Sequence, residues 1–410
     1  MSLWPAGSRS ARARHFSIMR PSTVATAMAA SSHITRACRS VLMVGTSLGV
    51  RGGISAVVRG YRDAGLFQRV SLRYVATHVD GSWRAKLAAA LGGYVRMIAE
   101  LIRMDAPLVH VHLASRASFW RKSVICLLAL LWKRPYVLHL HGGEFGKFYD
   151  EECGGFAKWL ARTLLTRAAL VLALAELWRV TLTRIAPQAR VRVLYNSVPI
   201  PGRPPRAVSA ADAERILYSG RLSARKGTFD LITAFARISA QFPHARLICA
   251  GDGDVPAATQ LAGELGVEER VSFSGWIGPE AMRRELSSAT IFALPSYAEG
   301  MPMALLEAMS WGVAVLSCPV GGIPEVITPD YDGLLVNPGD VGGIERALVK
   351  LLGSPTARAR LGNAARNTVI ERFSQDLAVD TLVAVYREFG IEDRDERRKR
   401  AVATGAGTTG

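Results

Sequence analysis

Short apolar runs recur along the chain, each followed by a turn and then by apolar positions at helical spacing. Val41-Leu42-Met43-Val44 is the first, and similar runs follow at Val70–Val75, Pro107–His112, Tyr136–Leu140, Leu170–Ala173 and near Val191–Tyr195. Helical patterns fill the gaps to about Ala64, then over Lys86–Arg103, Phe119–Arg134 and Phe156–Ala168. Runs this short and this uniformly apolar read as parallel strands buried on both faces. The alternation restarts at Ile216–Ser219 and continues through Ala245–Ala250, Val271–Ser274, Thr290–Leu294 and Val313–Ser317, with a helix from Thr228 and a last one over Thr381–Phe389. Repeated strand–helix alternation predicts an α/β protein with a doubly wound parallel sheet in each half.

Between the halves, Pro199, Pro201, Pro204 and Pro205 crowd together with Gly202, a composition that suits a linker. The expected organisation is a first domain over 41–198, a linker over 199–212, a second domain over 213–374 and a helix within 375–390 that crosses back to the first domain. Residues 1–40, rich in Ala, Ser and Arg and without periodicity, read as a disordered basic extension, and 391–410 as a disordered tail.

At 410 residues and 49% hydrophobic composition there is material for two cores. No apolar run reaches the roughly 18–20 residues that span a bilayer; the longest, Ser123–Trp132, is half that length. Five scattered cysteines without Cys-x-x-Cys spacing argue against both a disulfide framework and a zinc site, and for a reducing compartment. The net charge of +17 changes the picture more, because it is uneven: residues 41–198 carry 22 basic and 9 acidic side chains, whereas 199–390 are slightly acidic. A basic half without a basic-aromatic nucleic-acid motif fits an anionic membrane surface and excludes nucleic acid as the expected partner. The helix from Phe119 is ambiguous in this respect. Its cations Arg121, Lys122, Lys133 and Arg134 flank an apolar centre, which suits either burial against a sheet or contact with lipid headgroups.

Candidate chemistry concentrates in four places. Glu299-Gly300-Met301-Pro302-Met303-Ala304-Leu305-Leu306-Glu307 places one carboxylate on a loop and the second inside the following helix, with Pro302 in its first turn. Carboxylates accept hydrogen bonds from hydroxyl groups, and the free N–H groups of a helix start favour an anion, so a sugar beside a phosphate suits both. Gly220-Arg221-Leu222-Ser223-Ala224-Arg225-Lys226-Gly227 follows a strand directly and offers two cations, Arg221 and Lys226, that can clamp a diphosphate. The turn Gly45 to Ile54, with Gly52 and Gly53, lets backbone approach a ligand closely, although β–α turns also use Gly for steric reasons alone. His141-Gly142-Gly143-Glu144-Phe145 ends a strand where open α/β sheets bind ligands. His139 and His141 share one side of that strand, but a zinc site needs further ligands that the sequence does not signal. Asp252-Gly253-Asp254 reads as a turn rather than a metal motif.

These motifs, with Gly321–Glu325 and Asp332-Gly333-Leu334-Leu335-Val336, make the chain resemble family 4 retaining glycosyltransferases of the two-domain GT-B fold, from about Val41 to Phe389. His-Leu-His-Gly-Gly-Glu-Phe is similar to members that build surface polysaccharides. The resemblance implies two Rossmann-like domains facing each other across a cleft. It implies that Arg221 and Lys226 neutralise the diphosphate of a nucleotide-sugar donor, that Glu307 holds its ribose and Glu299 the transferred sugar, and that His141 lies near the anomeric centre. Gly52, Gly53, Gly220, Gly300, Met301 and Met303 would face the donor, and Trp276 would stack on the base or pack beside it. Neither metal nor cofactor is implied, and the partners are the donor, a glycan or lipid-linked saccharide acceptor and an anionic membrane. The implied place is the cytoplasmic face of the plasma membrane, peripherally bound. Two departures touch the first domain: Asn196-Ser197-Val198 replaces the usual Asn-Gly-Val, and Ala175-Glu176 stands where a Ser often opens a helix.

Other functions for the same fold make different demands. A nucleotide-sugar epimerase would carry additional acid/base carboxylates and no E-x7-E pair, a phosphorylase would need a cofactor lysine, and a binding-only protein would have lost these anchors.

Overall fold

The computed structural model describes residues 38–50, 52–202 and 214–397. Most of the extension expected over 1–40, most of the linker and most of the tail thus lie outside the described residues. The expectation of disorder is corrected at the described ends of the extension and the tail, where Cys38, Ile391 and Asp393 are buried, Ser40 opens a strand and Asp393 accepts from Arg69 (2.8 Å). The first half contains strands β1 (Ser40–Gly45), β2 (Leu72–Ala76), β3 (Pro107–Leu113), β4 (Tyr136–Leu140), β5 (Leu170–Ala173) and β6 (Val191–Val193). They form one parallel sheet in the order 2-1-3-4-5-6. The second half contains β7 (Arg215–Ser219), β8 (Arg246–Ala250), β9 (Val271–Gly275), β10 (Ile291–Leu294), β11 (Ala314–Ser317) and β12 (Leu334–Leu335), ordered 12-11-10-7-8-9. The strand order reverses between β1 and β3 in one sheet and between β7 and β10 in the other. A doubly wound sheet binds its ligand at such a point, outside the carboxyl ends of the strands.

Strand alternation divides the first half into two cores. Leu42, Val44, Val109, Val111, Leu138 and Leu140 face helices carrying Phe119, Ile125, Leu160 and Leu164. Met43, Leu108 and Val137 face the opposite way, against Val58 and Tyr61 of helix Gly53–Asp63 and against Leu382, Val383 and Tyr386 of helix Gln375–Arg387. This helix from the C-terminal side of the second half is therefore part of the first half's core. It begins at Gln375, not Thr381, because Ser374 accepts from the Leu377 N–H (3.4 Å) and caps it early. The chain crosses between the halves twice, side by side, with Val198 N–H bonded to Phe373 O (2.9 Å) and Gln375 N–H to Val198 O (3.1 Å).

Helix Ala117–Leu131 has one face on the sheet and one open. Phe119, Ile125, Cys126 and Ala129 are buried against the sheet, while Trp120, Val124, Leu127 and Leu131 remain exposed. Lys122 is no headgroup ligand: it is fully buried and donates to Gly45 O (2.9 Å) and to the Thr77 hydroxyl. Burial pushes its ammonium down to about 7. Among the described residues no helix is long and apolar enough to cross a membrane.

Candidate active site

The two switch points face each other across a cleft of about 500 Å³, a volume that holds a small molecule. The halves touch at its floor through backbone: a Cβ on Gly143 would lie 2.8 Å from the Gly300 Cα, so only glycine permits the approach. Gly321, at φ 58°, sits in the left-handed region, and a side chain there would collide with the Glu299 carbonyl. The Glu299 loop is thus held from both sides by glycines.

Gly52 and Gly53 line the cleft from the first half, and no atom lies within 4 Å of where their side chains would begin. Packing does not require glycine at these two positions, and the space they leave opens on the cleft. His141 lines it from the end of β4. From the second half come Gly220, Lys226, Trp276, Glu299, Gly300, Met301, Met303 and Glu307. Of the residues expected here, only Arg221 does not line the cleft. It is exposed, and its side chain runs beside Gly253, so of the two cations of the expected clamp Lys226 alone lines the cleft.

Pro302 forms the N-cap and not the first turn, so helix Met303–Ser310 begins one residue later than expected. Glu307 is its fifth residue; burial pushes its carboxyl up to about 7, and among the described residues no side chain bonds to it. Glu299 is better served. Its Oε1 accepts from Lys226 Nζ (2.6 Å) and from Ser296 Oγ (2.8 Å). Asp254 accepts from the Ala257 N–H (3.2 Å) as the cap of helix Val255–Glu264, in keeping with a turn.

Three residues were not nominated from sequence. Asn196 lines the cleft and donates to Met301 O (2.8 Å), tying the first half to the Glu299 loop. Glu325 accepts from the backbone N–H groups of Glu176 (2.9 Å) and Leu177 (3.2 Å). It thereby supplies from the other half the cap that Ala175 cannot give helix Glu176–Ile185. Glu144 bridges Arg116 (2.8 Å) and, across the cleft, Arg225 (2.5 Å). The Asn-Ser-Val and Ala-Glu departures marked two of these places, but pairing over more than 100 residues left no sequence signal.

The histidine pair of β4 also gains what the sequence did not show. β3 places His110 and His112 beside it, and one ligand atom from each of His110, His112 and His139 lies within 4.8 Å of the others. These three could hold a metal ion only after rearrangement. His110 and His112 are stacked, with centroids 4.6 Å apart and planes 10° apart. An imidazole lone pair lies in its ring plane, so stacked rings do not aim at one point.

Comparisons with known proteins give the family and the fold. The family model described as glycosyl transferases group 1 matches residues 204–368. Alpha-maltose-1-phosphate synthase of Mycolicibacterium smegmatis is 30% identical over 293 residues, covering 64% of this chain and 75% of the relative. The protein of the same description from Mycobacterium tuberculosis H37Rv is 28% identical over 332 residues, covering 71% and 84%. Among solved structures, Anabaena HepE in complex with UDP superposes with a TM-score of 0.69 at 19% identity, over 85% of this chain and all of that one (100%). The fold is the GT-B fold, and the chain belongs to the group 1 glycosyl transferases.

Proposed function

We propose that this glycosyltransferase is a retaining, metal-independent family 4 enzyme that moves a hexose-type sugar from a nucleotide-diphosphate sugar to a glycan or lipid-linked saccharide. Its place is in surface polysaccharide synthesis, at the cytoplasmic face of the membrane. One observation carries the reading. A single cleft brings a cation, two carboxylates and the open Gly52–Gly53 turn together at the two strand-order reversals. HepE, with the same fold, was solved with UDP.

In this reading the diphosphate lies between the Gly52–Gly53 turn and Lys226, with Arg221 supplying a second cation from the same turn. Glu307 accepts hydrogen bonds from the ribose hydroxyls and Glu299 from those of the sugar. As the bond from the anomeric carbon to the leaving phosphate oxygen breaks, negative charge grows on the diphosphate, where Lys226 is already placed. The acceptor hydroxyl attacks the same face and its proton passes to the departing phosphate oxygen, so configuration is retained without a side-chain nucleophile. An exposed apolar face on the basic first half supports the membrane part of the proposal.

The direct test is thermal stabilisation of the purified protein by UDP-, GDP- and ADP-sugars. One nucleotide class raises the midpoint, and Arg221→Ala weakens the gain. No shift with any donor at saturation would overturn the donor assignment.

A further inference from the structure

His110, His112, His139 and His141 form a file on one face of β3 and β4, the first three fully buried beneath Tyr61 and Tyr386 and the last opening on the cleft. They bond as two pairs, one of which also reaches Tyr386. His112 Nδ1 meets His141 Nε2 at 2.7 Å, His139 Nδ1 meets His110 Nε2 at 3.4 Å, and His110 Nδ1 meets the Tyr386 hydroxyl at 2.6 Å. Two ring nitrogens in the file, His112 Nε2 and His139 Nε2, are buried without a partner.

Burial holds all four imidazoles far below their usual range, so each is neutral and carries one ring proton. The unpartnered nitrogens decide where those protons sit. A buried N–H without an acceptor bears the full desolvation penalty, and orphaned buried donors are rarer than under-used acceptors. His112 therefore keeps its proton on Nδ1 and leaves Nε2 as the bare lone pair. Its Nδ1–H then donates to His141 Nε2, which must be a lone pair, and the proton of His141 is left on Nδ1. That is the ring nitrogen remaining for the cleft. The same logic runs through the second pair, from His139 Nδ1–H to His110 Nε2 and from His110 Nδ1–H to Tyr386.

We infer that His112 is a positioning residue that fixes the tautomer of His141, so that His141 presents an N–H donor to an oxygen of the bound sugar donor. The inference rests on the cleft being the donor site. Its geometric part, the tautomer itself, is independent of that reading.

Long-range proton–nitrogen correlation of the His141 ring in the unliganded full chain tests it. The expected wild-type spectrum shows Nδ1 protonated and Nε2 as a lone pair. A proton on His141 Nε2 overturns the proposal with no variant needed. His112→Asn keeps a donor close to the place of Nδ1, whereas His112→Leu removes it. Turnover should stay within about threefold of wild type in H112N. In H112L it should fall about 10–100-fold with little change in donor KM, as for other outer-shell partners. Equal losses in both variants would overturn the proposal in favour of a packing role. Absence of donor binding in the wild type would remove the donor-site reading while the spectrum still decides the tautomer.

Discussion

Lys226 Nζ lies 2.6 Å from Glu299 Oε1, so the cation proposed for the phosphate and the carboxylate proposed for the sugar neutralise each other. Their side chains are only 23% and 6% exposed, which makes this a pair whose partners depend on one another. Removing one side of a buried pair leaves the other charge uncompensated. Lys226→Met should lower the free energy of unfolding by about 3 kcal/mol and abolish transfer. Adding Glu299→Gln should restore most of the stability and none of the activity. Chemical unfolding of the two variants checks this, and an undiminished midpoint in Lys226→Met would show that the pair is not formed in solution.

Glu307 gives the cleft a pH dependence. Its folded pKa of about 7 lies above the ordinary carboxyl range, so the folded state holds the proton more tightly than the unfolded chain does. The stability this contributes is complete below the unfolded value and is lost as pH rises through 7. Ribose hydroxyls donate to the ionised form, so donor affinity should rise from pH 6 to 8 with release of a proton. Glu307→Gln should flatten that profile, weaken the donor by about tenfold at pH 8 through loss of hydrogen bonds to a charged acceptor, and melt higher than wild type at that pH. Calorimetric titration in buffers of different ionisation heat measures the proton directly. A wild-type affinity constant across this range would remove Glu307 from the ribose.

Glu325 couples the halves by capping a helix of one from the other. Tyr195 donates to the same carboxylate at 3.2 Å. Glu325→Ala should cost about 1 kcal/mol, the usual loss for a helix cap. It should also loosen the interface, seen as faster amide exchange confined to the start of helix Glu176–Ile185. Unchanged exchange at Glu176 and Leu177 would mean that the cap does not hold the helix.

How much of this could be read beforehand follows from where each signal lies. The strands were legible because burial on both faces forces runs such as Val41–Val44, and the E-x7-E pair was legible because both carboxylates sit on one loop and one helix. Glu325 and Asn196 act on residues more than 100 positions away, so no local pattern announces them. Lys122 stayed ambiguous for the opposite reason. At the start of an apolar helix a cation looks like a surface residue, yet Lys122 turns inward and finds oxygen partners in the Gly45 carbonyl and the Thr77 hydroxyl, which lie far away in sequence. The histidine file joined two motifs only when β3 and β4 paired with His112 opposite His139.

The outer face of the first half carries the last prediction. Helix Trp83–Arg103 exposes Trp83, Leu87, Leu91 and Val95 at every fourth position, and helix Ala117–Leu131 exposes Trp120, Val124, Leu127 and Leu131. Trp120 stacks on Phe156 (6.4 Å), which neighbours Trp159, so the apolar surface continues onto helix Gly155–Arg167. Arg84, Arg96, Lys133 and Arg162 are exposed on these helices and the turn after the second. Apolar side chains at this spacing with cations among them suit a bilayer interface, each cation near anionic lipid adding about 1 kcal/mol. The protein should sediment with vesicles containing phosphatidylglycerol, less so at high salt, and weakly with neutral phosphatidylcholine. Replacing Leu87, Leu91 and Val95 together by Ser should abolish sedimentation while leaving nucleotide-sugar binding unchanged, because none of the three lines the cleft. Sedimentation equal to wild type in that variant would place the membrane contact elsewhere or remove it.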